Sequence, residues 1–282
     1  MPTPENLVLR AQVLRRIRAF FDARGFVEVE TPVRIPAPAP EPHIDCPASG
    51  SWFLRASPEL QMKKLLASGL ERIWQMGPCF REGERGSRHH PEFTMLEWYR
   101  AQADYLDILT DMEALVADVL GTFRPFPAGP FRRLTVRDAY RAYAGWDPFA
   151  DWDADRFDFD MATKIEPNLP REPTFLIDYP PPAASLSKLR GDVAERWELY
   201  VDGMELANAF TELTDAAEQR RRFEAARAER RRIGEADYPL DEEFLRLLQF
   251  MPPTGGVALG VDRLVMLAAG AKTIAAVRIV ED

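Results

Sequence analysis

FREGERGSRHHPEFTMLEWYR, residues 80–100, is the stretch of sequence that decides the fold. Its second half alternates as a β-strand does, because successive side chains of a strand point to opposite faces. One predicted face carries Phe93, Met95, Glu97 and Tyr99, and the other carries Thr94, Leu96 and Trp98. An ionised carboxylate is seldom buried without a partner. Glu97 therefore predicts a polar site on the first face, whereas the second face is expected to pack in the core.

The first half of this stretch is a charged loop that contains glycine. Arg81 enters the loop and Arg88 lies near its end. Arginine suits phosphate groups, an aromatic ring such as Phe93 suits a nucleotide base, and the carboxylate of Glu97 suits an amine. The sequence therefore predicts a nucleotide site, with a solvated hairpin as the alternative.

The composition is that of a globular protein large enough to bury a full core. Hydrophobic residues make up 46% and charged residues 29% of the 282 residues, and the net charge is −9, which disfavours non-specific binding to nucleic acid. No apolar run approaches the ~20 residues that span a membrane. Residues 1–12 lack the apolar core of a signal peptide, so a cytoplasmic location is expected. Two cysteines and three histidines form no spaced motif and predict no zinc site.

The spacing of apolar residues predicts how helices and strands follow one another. Helices are expected over residues 7–24, 58–67, 103–120, 135–143, 215–232 and 241–250, and from 262 onward. Strands are expected over residues 26–33, 73–80, 92–99 and 174–180, and on both sides of Asp202-Gly203, a dipeptide suited to a tight hairpin turn. The proline-rich residues 33–47 are expected to form a loop without a ladder, and the acidic residues 151–160 a solvated surface.

Interleaved helices and hairpins favour an antiparallel sheet flanked by helices, which is the α+β class. We expect one domain over residues 1–282, because no linker or repeat interrupts the chain. Neither GxGxxG nor GxxxxGK[ST] is present, so neither common glycine-loop nucleotide fold is indicated.

Two further segments carry polar residues that a core does not favour. The predicted hairpin carries Glu198, Glu205, Asn208 and Glu212. Carboxylates on neighbouring strands are typical ligands of a divalent cation that bridges phosphates. Strict alternation separates Glu205 from Asn208 and Glu212, and a β-bulge between them would bring all three to one face. Arg263 begins the last predicted helix, where it would stabilise charge on a phosphoryl group.

A basic run, residues 220–232, carries seven arginines on one predicted helix. The favoured interpretation is a solvated face on which these arginines pair with neighbouring glutamates. The alternative is a surface that docks an acidic partner.

Three motifs together resemble the catalytic domain of the class II aminoacyl-tRNA synthetases, specifically of the lysyl type. FVEVETP at residues 26–32 resembles motif 1, residues 80–100 resemble motif 2, and GVALGVDRLVML at residues 256–267 resembles motif 3. The resemblance extends over residues 7–277. It implies an antiparallel sheet of six or seven strands, a homodimer formed around motif 1, and adenylation of an amino acid with ATP and Mg²⁺.

The resemblance also implies residues that would bind ATP. Arg81 would hold the α-phosphate and the substrate carboxylate, and Arg263 would contact the γ-phosphate, which makes both arginines catalytic candidates. Phe93 would stack on adenine, and His89 belongs to the same nucleotide-binding set. Glu84 would take over an adenine contact that the family makes with a glutamate one position earlier.

Other residues would bind the metal and the amino acid. Glu198 and Glu205 would ligate Mg²⁺, and Glu59 would receive the α-amino group of the substrate. The distal ammonium group would be surrounded by Glu97, Tyr99, Asn208 and Glu212.

Several positions depart from the lysyl synthetase pattern. Ser57 stands where alanine is usual, Ala258 narrows the substrate pocket where glycine is usual, and Gly83 replaces a glutamate. Ala209 and His90 replace glycine and asparagine, and we have no expectation for their effect. No N-terminal OB-fold domain that reads the anticodon is expected, because the chain starts at the first catalytic helix.

These departures resemble the stand-alone paralogues of the lysyl enzymes, which attach (R)-β-lysine or lysine to a lysine of elongation factor P. The hypothesis is therefore an ATP-dependent ligase with elongation factor P as the acceptor and without a membrane or tRNA partner. The alternatives are a truncated lysyl-tRNA synthetase-like enzyme that charges tRNA and a non-catalytic interaction module. The isomer of lysine and the modified lysine of the acceptor stay open.

Overall fold

A computed structural model describes residues 1–281 of the protein. Its α-helices are α1 (Pro4–Asp22), α2 (Glu59–Ala67), α3 (Tyr105–Phe123), α4 (Val136–Ala139), α5 (Ala154–Asp160), α6 (Ala216–Ile233), α7 (Glu242–Leu248) and α8 (Val261–Ala269). Its strands are β1 (Val27–Glu28), β2 (Arg34–Ile35), β3 (Ala48–Ser49), β4 (Trp52–Leu54), β5 (Arg72–Phe80), β6 (Glu92–Ala101), β7 (Arg132–Thr135), β8 (Thr174–Tyr179), β9 (Leu189–Arg190), β10 (Val193–Val201), β11 (Met204–Thr211) and β12 (Thr254–Gly260). Among the described residues, no helix is both long enough and apolar enough to cross a membrane.

The first of two compact units comprises Met1–Gln102, Leu213–Thr254 and the chain from Gly260 onward. In this unit β5 pairs with β1 in parallel and with β6 in antiparallel orientation. Strands β2, β4 and β3 form a small antiparallel sheet of their own. Phe21 of α1 stacks on Trp74 with ring centres 4.9 Å apart, and its ring centre lies 5.3 Å from that of Trp98. The face of β6 that carries Trp98 therefore packs in the core, as the alternation predicts.

A buried carboxylate, Asp262, joins distant segments of the first unit. Its Oδ1 accepts a hydrogen bond of 2.6 Å from Arg10 of α1, and its Oδ2 accepts one of 2.8 Å from the backbone N–H of Thr94. Arg278 donates to the same Oδ2 at 3.3 Å and to the carbonyl of Glu92 at 2.9 Å. Because a buried charge must be paired and hydrogen-bonded, these contacts fix the start of α8 against β6.

The second unit comprises Ala103–Glu212 and Gly255–Leu259. Its strands lie in the order β12–β11–β10–β8–β7, and β9 also pairs with β10. Neighbouring strands are antiparallel except for β7 and β8, which are parallel. A Cβ atom on Gly255 would lie 2.5 Å from the side chain of Ile108 in α3. Glycine is therefore required for the close approach of β12 to α3.

The hairpin of β10 and β11 forms as predicted, with a tight turn at Asp202 (φ 52°) and Gly203 (φ 72°). Its register also contains a bulge: Tyr200 pairs with Glu205, whereas Leu199 pairs with Ala207. One extra residue of β11 is thus inserted opposite β10. The bulge that the sequence required to bring Glu205 and Asn208 to one face is therefore present.

The predicted α+β class is confirmed, and the sheet is mixed rather than wholly antiparallel because β1 and β7 each pair in parallel. The expectation that residues 33–47 form no ladder is wrong. Strand β2 lies within that stretch and pairs with Leu54 and Phe53 of β4. The pairing is possible because neither residue of β2 is a proline, so each keeps its backbone N–H donor.

The expectation that residues 151–160 form a solvated surface holds for most of the stretch, including Asp151, Asp153, Asp155 and Asp158, but Phe157 and Asp160 are buried. Phe157 of α5 stacks on Tyr140 with ring centres 4.8 Å apart. Asp160, three residues later on the same helix face, is buried and accepts a 2.9 Å hydrogen bond from the indole of Trp146. Lys164 lies 2.7 Å from the same carboxylate. Helix α5 is therefore amphipathic, and its buried face was not evident from the acidic composition.

Helix α6 carries the basic run, and most of its arginines pair within the chain. The pairs are Arg220 with Glu242, Arg221 and Arg222 with Glu218, Arg227 and Arg231 with Asp237, and Arg232 with Glu229. Arg230 differs because it is fully buried, stacks on the ring of Tyr238 at 4.3 Å and pairs with Asp45. Its guanidinium also donates to the carbonyls of Glu41 and Ile44 at 2.7 and 3.0 Å. Arg230 therefore anchors the proline-rich loop and belongs to no solvated face, contrary to the sequence interpretation.

The two neighbouring arginines of α6 should differ sharply in their effect on stability. Arg230→Met removes the donor on which Asp45 and several carbonyls depend, so the free energy of unfolding should fall by about 3 kcal/mol or more. Arg231→Met, at an exposed ion pair, should change it by no more than about 0.5 kcal/mol. Urea denaturation of the two variants measures the difference, and equal losses would contradict the anchoring role.

Candidate active site

The polar residues predicted on β6 meet the start of α2 in a group that we call the carboxylate cluster: Ser57, Glu59, Lys63, Glu97 and Tyr99. Glu97 is 1% exposed, accepts a 2.6 Å hydrogen bond from the Ser57 hydroxyl and a 2.8 Å bond from the Tyr99 hydroxyl. The Ser57 oxygen also accepts a 2.9 Å hydrogen bond from the backbone N–H of Glu59, the first residue of α2. Glu59 pairs with Lys63 of the next helical turn at 2.5 Å.

Glu97 is unusually hard to ionise in this environment. Burial, followed by the negative charge of Glu59, raises its pKa from 4.5 to about 7, although the hydrogen bonds from Ser57 and Tyr99 and the charge of Arg55 oppose the rise. A carboxyl group with a pKa near neutrality is ready to respond to an incoming ammonium group, which would favour its anionic form.

The loop before β6 places an arginine beside an aromatic ring. The guanidinium of Arg81 lies 5.2 Å from the ring centre of Phe93, and its Nη1 lies 3.4 Å from Glu84. Gly83 between them has a φ of 75°, a conformation that the glutamate usual in the lysyl synthetases would adopt only at a cost. Glycine at position 83 therefore lets the loop adopt this turn at little conformational cost.

Arg263 lies in the first turn of α8, next to the anchored Asp262. Its guanidinium contacts Nε2 of His89 in the loop before β6. Burial and then the positive charge of Arg263 lower the pKa of His89, so the imidazole is neutral at pH 7 and offers a lone pair to the arginine. His90 is turned elsewhere and contacts the backbone of Glu92 and Glu281. The structure thus brings the predicted nucleotide residues of the first unit together, with His90 outside the group.

The remaining predicted residues lie in the second unit, mostly on one face of its sheet, which we call the hairpin face. Cross-strand pairing places Asn208 beside both Glu198 and Ala258, and Glu205 beside Tyr200. Glu198 pairs with Arg196 at 2.6 Å and accepts a 2.7 Å hydrogen bond from the Tyr200 hydroxyl.

Glu212 and Ala209 also lie near this strand pair. Glu212 follows the end of β11, is buried and pairs with Ser187 through a backbone bridge. Ala209 lies opposite Val257 and is fully buried, so its methyl group fills core volume. It therefore does not line the hairpin face, where its neighbour Asn208 lies.

Sequence reasoning missed three polar residues of these groups. Lys63 lies four residues after Glu59, the spacing that places two side chains on one helix face. Arg196 and Tyr200 lie two residues on either side of Glu198, the spacing that places strand residues on one face. The periodicities that found their partners could have found all three.

The hairpin face has a donor set that fits Mg²⁺. Magnesium is commonly held by one or two carboxylates, with waters and phosphate oxygens completing its coordination. Glu205 lies opposite Tyr200, which shares a face of β10 with Glu198, so the register provides two such carboxylates on one face. Within residues 1–281, no group of three or more His, Cys, Asp or Glu side chains is arranged to hold a metal ion without such help.

Known proteins resemble this chain over nearly its whole length. The family model of the class II tRNA synthetases (D, K and N) matches residues 3–280. The "Lysine--tRNA ligase" of Moorella thermoacetica is 40% identical over 95% of this chain, which spans 63% of that relative's length. "Elongation factor P--(R)-beta-lysine ligase" of Proteus mirabilis is 38% identical, with 95% of this chain and 92% of the relative covered. The protein of the same name from Pasteurella multocida is 36% identical, with 96% and 93% covered.

Glu97→Gln should reveal the raised pKa of Glu97 in the pH dependence of stability. Between its unfolded pKa of 4.5 and its folded pKa of about 7, the folded protein holds a proton that the unfolded chain has lost. The parent's free energy of unfolding should therefore fall as pH rises through this window, by about 3 kcal/mol from this group. Glutamine cannot ionise, so the free energy of unfolding of the variant should rise by that amount relative to the parent's between pH 4.5 and 8. Urea denaturation across this range tests it, and parallel pH profiles would contradict the assignment.

Proposed function

Because the chain belongs to the class II tRNA synthetases of the D, K and N group, we propose that it is an ATP-dependent ligase acting on lysine and a protein acceptor. It activates (R)-β-lysine or lysine as an aminoacyl-adenylate and transfers it to a lysine side chain of elongation factor P. The relatives that carry this acceptor in their names match over nearly their whole length, which supports the proposal.

The hydrogen bond from Ser57 to Glu97 is the observation that carries the proposal. The lysyl synthetase pattern has alanine at position 57, which has no hydroxyl to donate. In this chain the Ser57 hydroxyl holds one oxygen of Glu97 at 2.6 Å and Tyr99 holds the other. The carboxyl that would face a substrate amine is therefore held by a hydrogen bond that the synthetase pattern lacks, which supports the stand-alone ligases over the tRNA-charging enzymes as the better match.

In the proposed reaction, Arg81 and Arg263 bind the phosphates of ATP. The amino acid carboxylate attacks the α-phosphorus, a new P–O bond forms, and the bond to pyrophosphate breaks. Both arginines are held before the substrate arrives, Arg81 beside Phe93 and Arg263 beside His89. Charge that develops on the phosphoryl oxygens therefore meets fixed donors, the arrangement that lowers such barriers most.

The second half of the reaction needs no covalent enzyme intermediate. The neutral amine of the acceptor lysine attacks the carbonyl carbon of the adenylate, an amide bond forms, and AMP leaves with the bonding electrons. The amine loses one proton in this step. Glu59, Glu97, Tyr99, Asn208 and Glu212 would hold the amino groups of the activated lysine, with Ala258 at the pocket floor.

Mg²⁺ would be held by Glu198 and Glu205. When bound, the metal would neutralise phosphate charge and orient pyrophosphate as the leaving group. Arg196 and Tyr200 hold the two oxygens of Glu198 in place. Burial and the charge of Glu198 raise the pKa of Tyr200, so its hydroxyl remains a donor at neutral pH.

The setting of the enzyme is also part of the proposal. A homodimer around residues 26–32 is supported by exposed apolar side chains of α1 and β1, namely Leu7, Val8 and Val27. We further propose that the chain acts as one catalytic domain in the cytoplasm. Charging of tRNA is the second candidate, because the relative from Moorella thermoacetica is named for that activity.

The first test is ATP–pyrophosphate exchange. Exchange should depend on lysine or (R)-β-lysine and should proceed with no RNA present, because the proposed chemistry needs none before transfer. Incubation with elongation factor P and ATP should then add the mass of one lysyl residue to the acceptor, measured on the intact protein. Exchange that appears only after tRNA is added, together with an unmodified acceptor, would support the tRNA-charging alternative instead.

Glu212→Gln should separate the amino acid from the nucleotide. The change keeps the shape of the buried side chain and removes its charge, and a hydrogen bond to a charged group is worth about 1.5–3 kcal/mol. The KM for lysine in the exchange reaction should therefore rise about tenfold or more, while the KM for ATP stays within about twofold. Equal increases in both would identify Glu212 as a structural residue.

A further inference from the structure

The ammonium group of Lys63 is the one cation that lies inside the carboxylate cluster. Lys63 is fully buried on α2, with 1% of its side chain exposed, and its Nζ lies 2.5 Å from Oε1 of Glu59. The next residue, Lys64, is turned away from the cluster and pairs with Asp241 at 2.8 Å and Glu243 at 3.0 Å. The two adjacent lysines thus form ion pairs with different carboxylates, and only Lys63 belongs to the cluster that contains Glu97.

A buried ammonium is stable only when its charge is compensated. Hydrophobic residues occupy most of the buried face of α2, which includes Leu60, Met62 and Leu66. An apolar residue at position 63 would therefore satisfy packing without a charge to compensate. A lysine at this position affects the charge of the cluster as well as its packing.

We propose that Lys63 is a positioning residue, which holds Glu59 in place and offsets its charge so that Glu97 can become an anion when the substrate's amino group arrives. The inference rests on the proposed function, since it takes Glu59 and Glu97 to be the residues that receive the amino groups of lysine. It adds a residue that touches no substrate and sets the pH range in which the substrate binds.

The groups that face Glu97 come from four elements, and their effects have different signs. Ser57 and Tyr99 donate hydrogen bonds that favour its anion, and Arg55, after β4, acts in the same direction by its charge. Glu59 acts in the opposite direction. Cys79 on β5 stays a neutral thiol, because burial and then Glu97 raise its pKa to about 12. Glu59 is thus the one carboxylate in this set that opposes ionisation of Glu97, and Lys63 is its ion-pair partner.

Removal of the Lys63 charge leaves the half-buried carboxylate of Glu59 without its cation beside the buried Glu97. Like charges at close range ionise at a higher pH than either would alone, and they titrate as a coupled pair. The pKa of Glu97 should therefore rise, and binding of lysine should require a more alkaline solution.

The experiment measures the KM for lysine in ATP–pyrophosphate exchange from pH 5.5 to 9 for three proteins: the parent, Lys63→Met and Lys64→Met. The parent's KM should fall as pH rises and reach a plateau above the Glu97 pKa of about 7. In Lys63→Met the midpoint of this pH dependence should move up by about one pH unit, which raises the KM for lysine at pH 6 about tenfold. The KM for ATP should stay within about twofold of the parent value.

Lys64→Met is the matched control, because it removes the neighbouring lysine of the same helix. Its midpoint should equal that of the parent. An unshifted midpoint in Lys63→Met, or an equal shift in Lys64→Met, would overturn the proposal for Lys63. The proposed function would still stand in that case, provided that the parent shows lysine-dependent exchange. Absence of lysine-dependent exchange in the parent would overturn both.

A second pair of variants covers the case in which Lys63→Met does not fold. Glu59→Gln leaves the Lys63 charge uncompensated beside Glu97, whereas Glu59→Gln combined with Lys63→Met removes both charges. The midpoint for lysine should be lower in the single variant than in the double variant, because only the single variant keeps a cation that favours the Glu97 anion. Equal midpoints would overturn the proposal.

Discussion

The ion-paired carboxylate of Asp262 is the interaction on which the first unit depends. It connects the first helix, the longest strand of that unit, the helix that carries Arg263, and the segment around Arg278. Because all of its partners are hydrogen-bonded to one buried acid, a shift of any segment would leave a charge uncompensated. The arginine and the aromatic ring assigned to ATP are the immediate chain neighbours of two of these contacts, so their relative position is set before any ligand binds.

Much of the fold and most of the site followed from periodicity. Alternation along β6 separated the Glu97 face from the Trp98 face, and the Asp202-Gly203 dipeptide located the hairpin turn. Alternation also showed that Glu205 and Asn208 could share a face only if a β-bulge lay between them, and the register of β10 and β11 contains that bulge. These predictions succeeded because a strand fixes the direction of each side chain relative to its neighbours, whatever the rest of the chain does.

The errors arose where exposure to solvent was inferred from charged composition alone, without knowledge of the contacts that bury a charged residue. The acidic stretch around Asp160 was interpreted from its charge, although Trp146 and Lys164 compensate that residue from outside the stretch. Arg230 was grouped with its exposed neighbours, although Asp45, far away in sequence, draws it inward. Long-range pairs of this kind leave no periodic trace, so a single sequence does not reveal them. Lys63 is different, because its spacing from Glu59 was visible and only its burial was not.

The inserted residue in β11 has a consequence for how the length of this chain can vary. Deleting Leu206 would restore a regular ladder and would keep Asn208 opposite Glu198 and Ala209 opposite Trp197. Deleting a residue further along β11 would leave the bulge in place and turn the side chains that follow to the opposite face of the sheet. A library of single-codon deletions should thus tolerate the loss of Leu206 better than a loss further along the strand.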